Sequence, residues 1–396
     1  MPRKQLASLF AASLMSWMVF SGLIGLLPVY AIQLGADPAS TGYYLGLLFL
    51  AWGLGATVAG WLSDRLRRRK PIFVACSMGV IPFLWLASQA TTLGALVAST
   101  IVVWFLAGAS FAMVTILTGL FAGKGERGRI FGIIALSTGL GIMLAGLVSG
   151  PIVDRWGFPA LLLVSGTVWM IQPAIGFFLK DRAVTSTQPD KMSAETPGRA
   201  LPIPFMIFLV VNILASVAMH VGGLARPLAM NTMNFDATAI SSAVAVSGVV
   251  TLPLPLLFGW LSDRVGRKPL LAFAYLCGAT GLLLLIFPTT LWHFWVVAVL
   301  QTTMMSSMSV GQALVTDLVP EEALGVGMSL YGITGSVTSV LSLGVAGNAI
   351  QQLGMPATLT FAAFFPLTAV VLLALIRNLT ARPIDKPIVP LSPHFR

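Results

Sequence analysis

Twelve apolar runs, each close to twenty residues or longer, dominate this chain and leave few folds open to it. They lie at approximately 6 to 33, 40 to 62, 71 to 90, 93 to 122, 130 to 153, 159 to 179, 203 to 226, 238 to 261, 269 to 288, 291 to 316, 324 to 350 and 354 to 376. A bilayer core about 30 Å thick is crossed by a helix of about 20 apolar residues. Only 9% of the residues are charged, against roughly 25% in a soluble domain, so no water-soluble surface can be assembled. In hydrocarbon a backbone must satisfy its own polar groups, and long apolar runs do so as helices. The expectation is an all-α membrane protein of twelve transmembrane helices. The first run follows Arg3 and Lys4 and has no small-residue cleavage site, so it reads as a retained helix rather than a signal segment. Cys76 and Cys277 fall inside apolar runs and read as small packing residues, with no disulfide framework or zinc spacing.

The basic residues fix an expected orientation. With both termini cytoplasmic, 21 of the 23 Lys and Arg residues fall on the inner side, and only Arg155 and Arg226 fall on the other. This is the positive-inside pattern, and it accounts for the net charge of +10 without invoking nucleic acid. The expected location is the plasma or inner membrane. Residues 180–202 are rich in Ser, Thr, Pro and charge and read as a cytoplasmic linker. They separate an N-terminal six-helix bundle (1–179) from a C-terminal one (203–378), with a cytoplasmic tail at 379–396.

The two bundles carry a repeat. GWLSDR occurs at Gly60–Arg65 and again at Gly259–Arg264, 199 residues later, each copy following the second helix of its half. Fainter echoes join Gly150–Gly157 to Gly347–Gly354. A six-helix unit has been duplicated. The loops resemble the signature G-x-L-[AS]-D-R-x-G-R-[KR] of the major facilitator superfamily. GWLSDRVGRK from Gly259 matches it closely and GWLSDRLRRRK from Gly60 less well, with Arg67 where the family usually has glycine. The resemblance covers the whole chain and implies two pseudo-symmetric bundles that rock about a central cavity.

It also implies a cytoplasmic latch that holds the outward-open state, here Gly60, Asp64, Arg65 and Arg68 with Arg129 of GERGRIFG as partner, and more weakly Gly259, Asp263 and Arg264. Physically, Gly60 would let helices approach, Asp64 would accept from neighbouring helix ends, and the arginines would pair with acids or lipid phosphates. The same residues also serve to set topology. Gly146, Gly150 and Pro151 are similar to a glycine-proline motif of antiporters, although Ser137 and Asp154 depart from it. Ordinary small-residue packing with a proline kink explains them equally well.

The resemblance implies a cavity between the first, fourth, seventh and tenth helices. On the seventh, Asn212, Ser216 and His220 share a stripe, as do Gln301, Met305, Met308 and Gln312 on the tenth. The fourth offers Trp104, Gly108, Phe111 and Thr115, and the first Trp17. The substrate-binding candidates are therefore Trp17, Trp104, Phe111, Thr115, Asn212, Ser216, His220, Gln301, Met305 and Gln312. His220 is the ionisable group well inside a span. It is a candidate for substrate or proton, with a plain hydrogen bond across a helix interface as the alternative. Arg226, near the outer end of that helix, could snorkel or attract an anion.

All thirteen Asp and Glu residues lie in loops or at span ends. This disfavours bulky cations, which need a buried carboxylate to offset desolvation, and favours neutral, amphipathic or anionic solutes. There is no nucleophile with a matched base, no metal cluster and no phosphate-binding glycine loop, so neither enzyme nor ATP-driven pump is expected, and no cofactor. The expected function is secondary transport of a small organic solute, efflux first, by a monomer in contact with membrane lipid, with the proton as a candidate coupling ion. An uptake carrier and a non-transporting membrane sensor or scaffold are the alternatives.

Overall fold

The computed structural model describes residues 2–121, 127–181, 201–320 and 323–376, with the side chains of 127–129 outside the description. Among these residues there are fourteen α-helices and no strand. They are α1 (Arg3–Ile24), α2 (Leu27–Gln33), α3 (Pro38–Leu66), α4 (Lys70–Ser88), α5 (Leu93–Phe121), α6 (Arg127–Trp169), α7 (Ile171–Phe178), α8 (Ile203–Thr232), α9 (Ala237–Thr251), α10 (Leu254–Val265), α11 (Arg267–Leu284), α12 (Leu291–Leu318), α13 (Leu324–Leu353) and α14 (Met355–Leu375).

Fourteen helices make twelve passes. By length and apolar composition nine of the described segments can cross a membrane, counting α1 with α2 as one. A tenth is α9 with α10, bent by 44° at Pro253, which donates no backbone hydrogen bond. The segment Ile130–Phe178 holds 49 residues, or about 74 Å of helix, far more than one crossing. It turns at Gly157, whose φ of 80° and ψ of 173° are not helical. Residues before that point run parallel to α1, with Gly141 against Leu14 and Met18 and Gly22 against Ser149. Residues after it run antiparallel to α1. Phe158 stacks on Tyr30 at 4.7 Å, Gln172 donates to the Ala12 carbonyl at 2.8 Å, and the Lys180 N–H donates to Gln5 at 2.9 Å. The twelfth pass is α11, 18 residues long and opening on the charged pair Arg267 and Lys268.

The repeat offset of 199 residues recurs at the helix caps. Asp37 accepts from the Ser40 N–H at 2.7 Å to start α3, and Asp236 accepts from the Ala239 N–H at 2.7 Å to start α9. Each follows a turn residue of positive φ, Gly35 at 88° and Asn234 at 57°.

The face carrying Arg65, Arg67–Lys70, Arg264, Arg267 and Lys268 is here the basic face, and the one carrying Asp37, Asp154 and Asp236 the far face. Near the far face the halves touch backbone to backbone. On α3, a β-carbon at Gly42 would collide with the Leu343 carbonyl of α13 and sit 3.0 Å from Gly347 Cα. On α6, one at Gly146 would collide with the backbone of Ala245 in α9. Small residues give such close packing its dispersion energy. Gly146 and Gly150 thus serve the packing of the two halves. The α3–α13 pair diverges towards the basic face. There Gly53 and Gly60 of α3, and Gly325, Gly332 and Gly335 of α13, have nothing within 4 Å of an added β-carbon. Gly60 does not bring helices together in this conformation.

Gly42→Leu is expected to prevent the far-face contact from closing. With Cys76 and Cys277 replaced, a thiol placed by Ser216→Cys should react with an impermeant reagent applied at the far face only when Gly42→Leu is also present.

Candidate functional site

Where the helices diverge lies a cavity of about 360 Å³. Its walls are Asn212, Ala215, Ser216, Met219 and His220 of α8, Tyr275 of α11, and Met304, Ser307, Met308 and Gln312 of α12. Met328, Tyr331, Gly332, Gly335, Ser336 and Ser339 of α13 and Phe49 of α3 complete it. Gln312 is six residues from the basic end of α12, and Met328 four from that of α13, so the cavity runs from the middle of the bundle towards the basic face. No Asp, Glu, Lys or Arg is among its wall residues.

The polar groups in the walls are held in place. Asn212 donates to Thr334 Oγ1 at 3.0 Å and to the Tyr331 carbonyl at 3.3 Å, tying α8 to α13. His220 Nδ1 lies 2.7 Å from the Ser216 carbonyl one turn back. A carbonyl only accepts, so Nδ1 carries a proton and, in the neutral ring, Nε2 is the acceptor. The ring meets Phe49 edge to face at 5.5 Å and 85°, a contact between the two halves. Ser307 and Ser336 donate to their own helices, at 2.6 Å and 3.1 Å, and keep lone pairs free to accept from a solute.

The sequence candidates divide between this cavity and elsewhere. Asn212, Ser216, His220 and Gln312 line it, as does Met308. Trp17, Trp104 and Phe111 do not: they form an aromatic cluster in the N-terminal half with Phe20, Phe49 and Trp52. Its ring centroids lie 4.9 Å (Phe20–Trp52), 5.8 Å (Trp17–Phe111) and 5.8 Å (Phe20–Trp104) apart. Trp104 is 2% exposed, and the void beside it is only about 10 Å³, room for no more than about one water. Thr115 is exposed and donates to the Phe111 carbonyl. Met305 is 40% exposed, off the cavity, and Gln301 faces Arg226. The candidates omit the α11 and α13 walls. The signal for α13 was present as Tyr331, Gly335 and Ser339, a stripe at fourfold spacing.

On the far face, two polar clasps related by the repeat join the halves. Asp154, at the end of the first leg of α6, accepts from the Ala237 N–H at 2.9 Å and the Thr238 N–H at 2.8 Å, and also from the Thr238 hydroxyl. A carboxylate on the first N–H groups of α9 is favoured by its helix dipole. At the equivalent place Gln351 donates to Asp37 at 3.1 Å and accepts from the Ala39 N–H at 3.3 Å, while Asn348 donates to the Tyr43 hydroxyl at 2.8 Å. The Ser40 N–H holds the Asp37 carboxyl below its ordinary range, so its charge is present above that lowered value and lost as pH falls through it.

A sequence profile described as the Major Facilitator Superfamily matches residues 9–221 and 205–392, together nearly the whole chain. The chain belongs to the Major Facilitator Superfamily. Among its relatives, the tetracycline resistance protein, class C, of Escherichia coli is 28% identical over 319 residues, covering 76% of this chain and 77% of that protein. The multidrug resistance protein MdtG of Serratia proteamaculans is 23% identical over 292 residues, 69% of each. The solved nucleoside transporter NupG aligns with a TM-score of 0.77 at 13% identity, covering 94% of this chain and 100% of NupG. A peptide transporter POT in complex with alafosfalin aligns at 0.74 and 14%, covering 94% and 95%. These two show the shared fold. The superfamily's members are transporters rather than enzymes, and this one is a multi-pass integral membrane protein.

In this superfamily member the two signature loops have nearly the same internal geometry. Ser63 donates to the Gly60 carbonyl and Ser262 to the Gly259 carbonyl, each at 2.8 Å. The Arg65 guanidinium lies over Trp61 at 5.4 Å and that of Arg264 over Trp260 at 4.0 Å. They differ at the glycine position. Gly266 has φ 93° and ψ 156°, open to glycine alone, and Arg67 takes φ 51° and ψ 22° instead, at a cost of roughly 1–2 kcal/mol.

Asp64 is 80% exposed and meets Arg69 of its own loop at 3.5 Å, rather than a neighbouring helix end. Asp181 does that, accepting from the Arg69 and Lys70 N–H groups at 3.0 Å and 3.2 Å. Arg68 and Asp263 are exposed, and the Arg129 side chain lies outside the described residues. Arg267 pairs with Asp317 at 2.8 Å.

Asp154→Asn keeps one acceptor but loses the charge and one of the two carboxylate oxygens. Spin labels at Thr91 and Thr289, exposed far-face positions of the two halves, should then show an added longer-distance population in pulsed electron resonance, absent from the parent.

Proposed function

We propose that this transporter exports small amphipathic solutes, neutral or anionic, from the cytoplasm by alternating access. The observation that carries the reading is the cavity, open towards the basic face and walled by methionines, aromatics and neutral polar groups. The positive-inside pattern makes the basic face cytoplasmic, so a solute enters from inside the cell or partitions in from the inner leaflet. Met219, Met304, Met308 and Met328 offer a polarizable, adaptable wall to apolar bodies of different shape, and Asn212, Ser307 and Gln312 orient polar groups on them. The drug resistance named for the tetracycline and MdtG relatives is what export of such compounds would confer, and it supports this direction.

Alternating access means that this cavity closes at the basic face as the far-face contacts part. Bundles 1–179 and 203–378 move as units, joined by the linker 180–202, and the linker and the tail 379–396 are cytoplasmic. The latch of Asp64, Arg65, Arg68 and Arg129 then engages; the exposure of Asp64 leaves it free to take a partner in that step. His220 is the group proposed to couple transport to protons. Protonation would turn Nε2 from acceptor to donor and place a charge in an otherwise neutral cavity against Phe49 of the other half. The working unit is a monomer in the inner membrane.

Proteoliposomes loaded with lipophilic neutral and anionic compounds test this. Under an imposed pH gradient, uphill movement out of the basic-face compartment is expected. His220→Ala should abolish its dependence on the gradient while downhill movement persists. In cells, accumulation of a compound rather than its exclusion would reassign the protein to uptake, and flux absent for every compound would leave a sensor or scaffold.

A further inference from the structure

We propose that Arg226, with Gln301 beside it, is an anion-binding site at the inner end of the cavity, and that the transported solutes are organic anions with an apolar body. This rests on the transporter reading above and narrows its substrate class. Asn212, Met219 and Arg226 recur every seven residues along α8 and so lie along one face. On α12, Gln301, Met304, Met308 and Gln312 form a stripe of the same kind. Asn212, Met219, Met304, Met308 and Gln312 all line the cavity. Arg226 and Gln301 are the next positions on both stripes in the direction of the far face. They lie together just beyond the cavity's inner end, outside its walls, Arg226 Nη1 donating to Gln301 Oε1 at 3.1 Å.

That pairing leaves the guanidinium underused. It offers five donor hydrogens, and one neutral carbonyl takes up one of them. The ion pairs among the described residues are Arg69–Asp64 and Arg267–Asp317, both at the basic face, so none of the described carboxylates pairs with Arg226. A cation inside a membrane bundle is costly unless an anion or a dense set of acceptors faces it. Its one partner is itself incomplete: Gln301 Nε2 is buried without a hydrogen-bond partner, packed over Gly222, where any side chain would collide with it. A carboxylate, sulfonate or phosphate arriving from the cavity supplies what is missing. It would accept two parallel hydrogen bonds from the guanidinium fork while its apolar body rests on Met219, Met304 and Met308. With no acid in the cavity walls, nothing there repels such an anion.

The test is equilibrium binding of 2-naphthoate and of its uncharged methyl ester to the purified full chain in lipid nanodiscs, with flux of both in proteoliposomes. Arg226→Gln is expected to weaken naphthoate by about tenfold or more and to leave the ester unchanged. Arg226→Lys, which keeps the charge but not the fork, should weaken naphthoate by a smaller factor, and it carries the test if Arg226→Gln fails gel filtration. Equal affinity of the parent for acid and ester, equal loss of both in the variants, or no loss of either overturns the proposal. Binding that follows the prediction without flux of either compound contradicts the transporter reading and leaves the anion site standing.

Discussion

Everything else in this molecule is arranged around the direct backbone contact between its halves near the far face. Gly42 meets α13 and Gly146 meets α9 with no side chain between them. A contact of this kind is short-ranged: a gap of about 0.5–1 Å forfeits roughly a quarter to a half of its dispersion energy, so a small separation weakens it sharply. The polar clasps at Asp154 and Gln351 sit outside it and add direction and, at Asp154, charge. With the halves pinned at one end, the divergence of α3 from α13 at the other end follows, and the cavity is the wedge that remains.

The repeat makes the scaffold symmetric, yet the chemistry is not. The C-terminal half supplies nearly every wall of the cavity, while the equivalent region of the N-terminal half is filled by its own tryptophans and phenylalanines. Aromatic pairs of that geometry contribute about 0.5–1.5 kcal/mol each beyond burial, and a void of about 10 Å³ leaves no room to rearrange. One half therefore forms a filled wall and the other the surface of the cavity, meeting where Phe49 touches His220.

Much of this was legible in the sequence, and the failures have physical causes. The twelve passes follow from apolar length, and Gly157 and Pro159 mark a reversal that helix geometry alone runs together. The doubled GWLSDR located the two loops, and Arg67, a departure from the signature, stands where their backbones differ. The cavity was half legible. Periodicity identifies a face but not which face is covered, so Trp17, Trp104 and Phe111 were indistinguishable from cavity residues until packing placed them in a dry cluster. The α13 wall is built from serines and glycines whose sequence signal resembles ordinary small-residue packing. Asp154 was visible only as a departure from a motif; that it caps a helix of the other half depends on a crossing between residues 83 apart.

In the proposed transport cycle the far-face contact opens for solute to pass. With Cys76 and Cys277 replaced, Asp154→Cys and Thr238→Cys placed together can be joined across the clasp by a short bis-methanethiosulfonate, which links them through disulfides, and flux measured before and after joining, then after reduction. Joining is expected to abolish flux and reduction to restore it. Unchanged flux in the fully joined protein would contradict it.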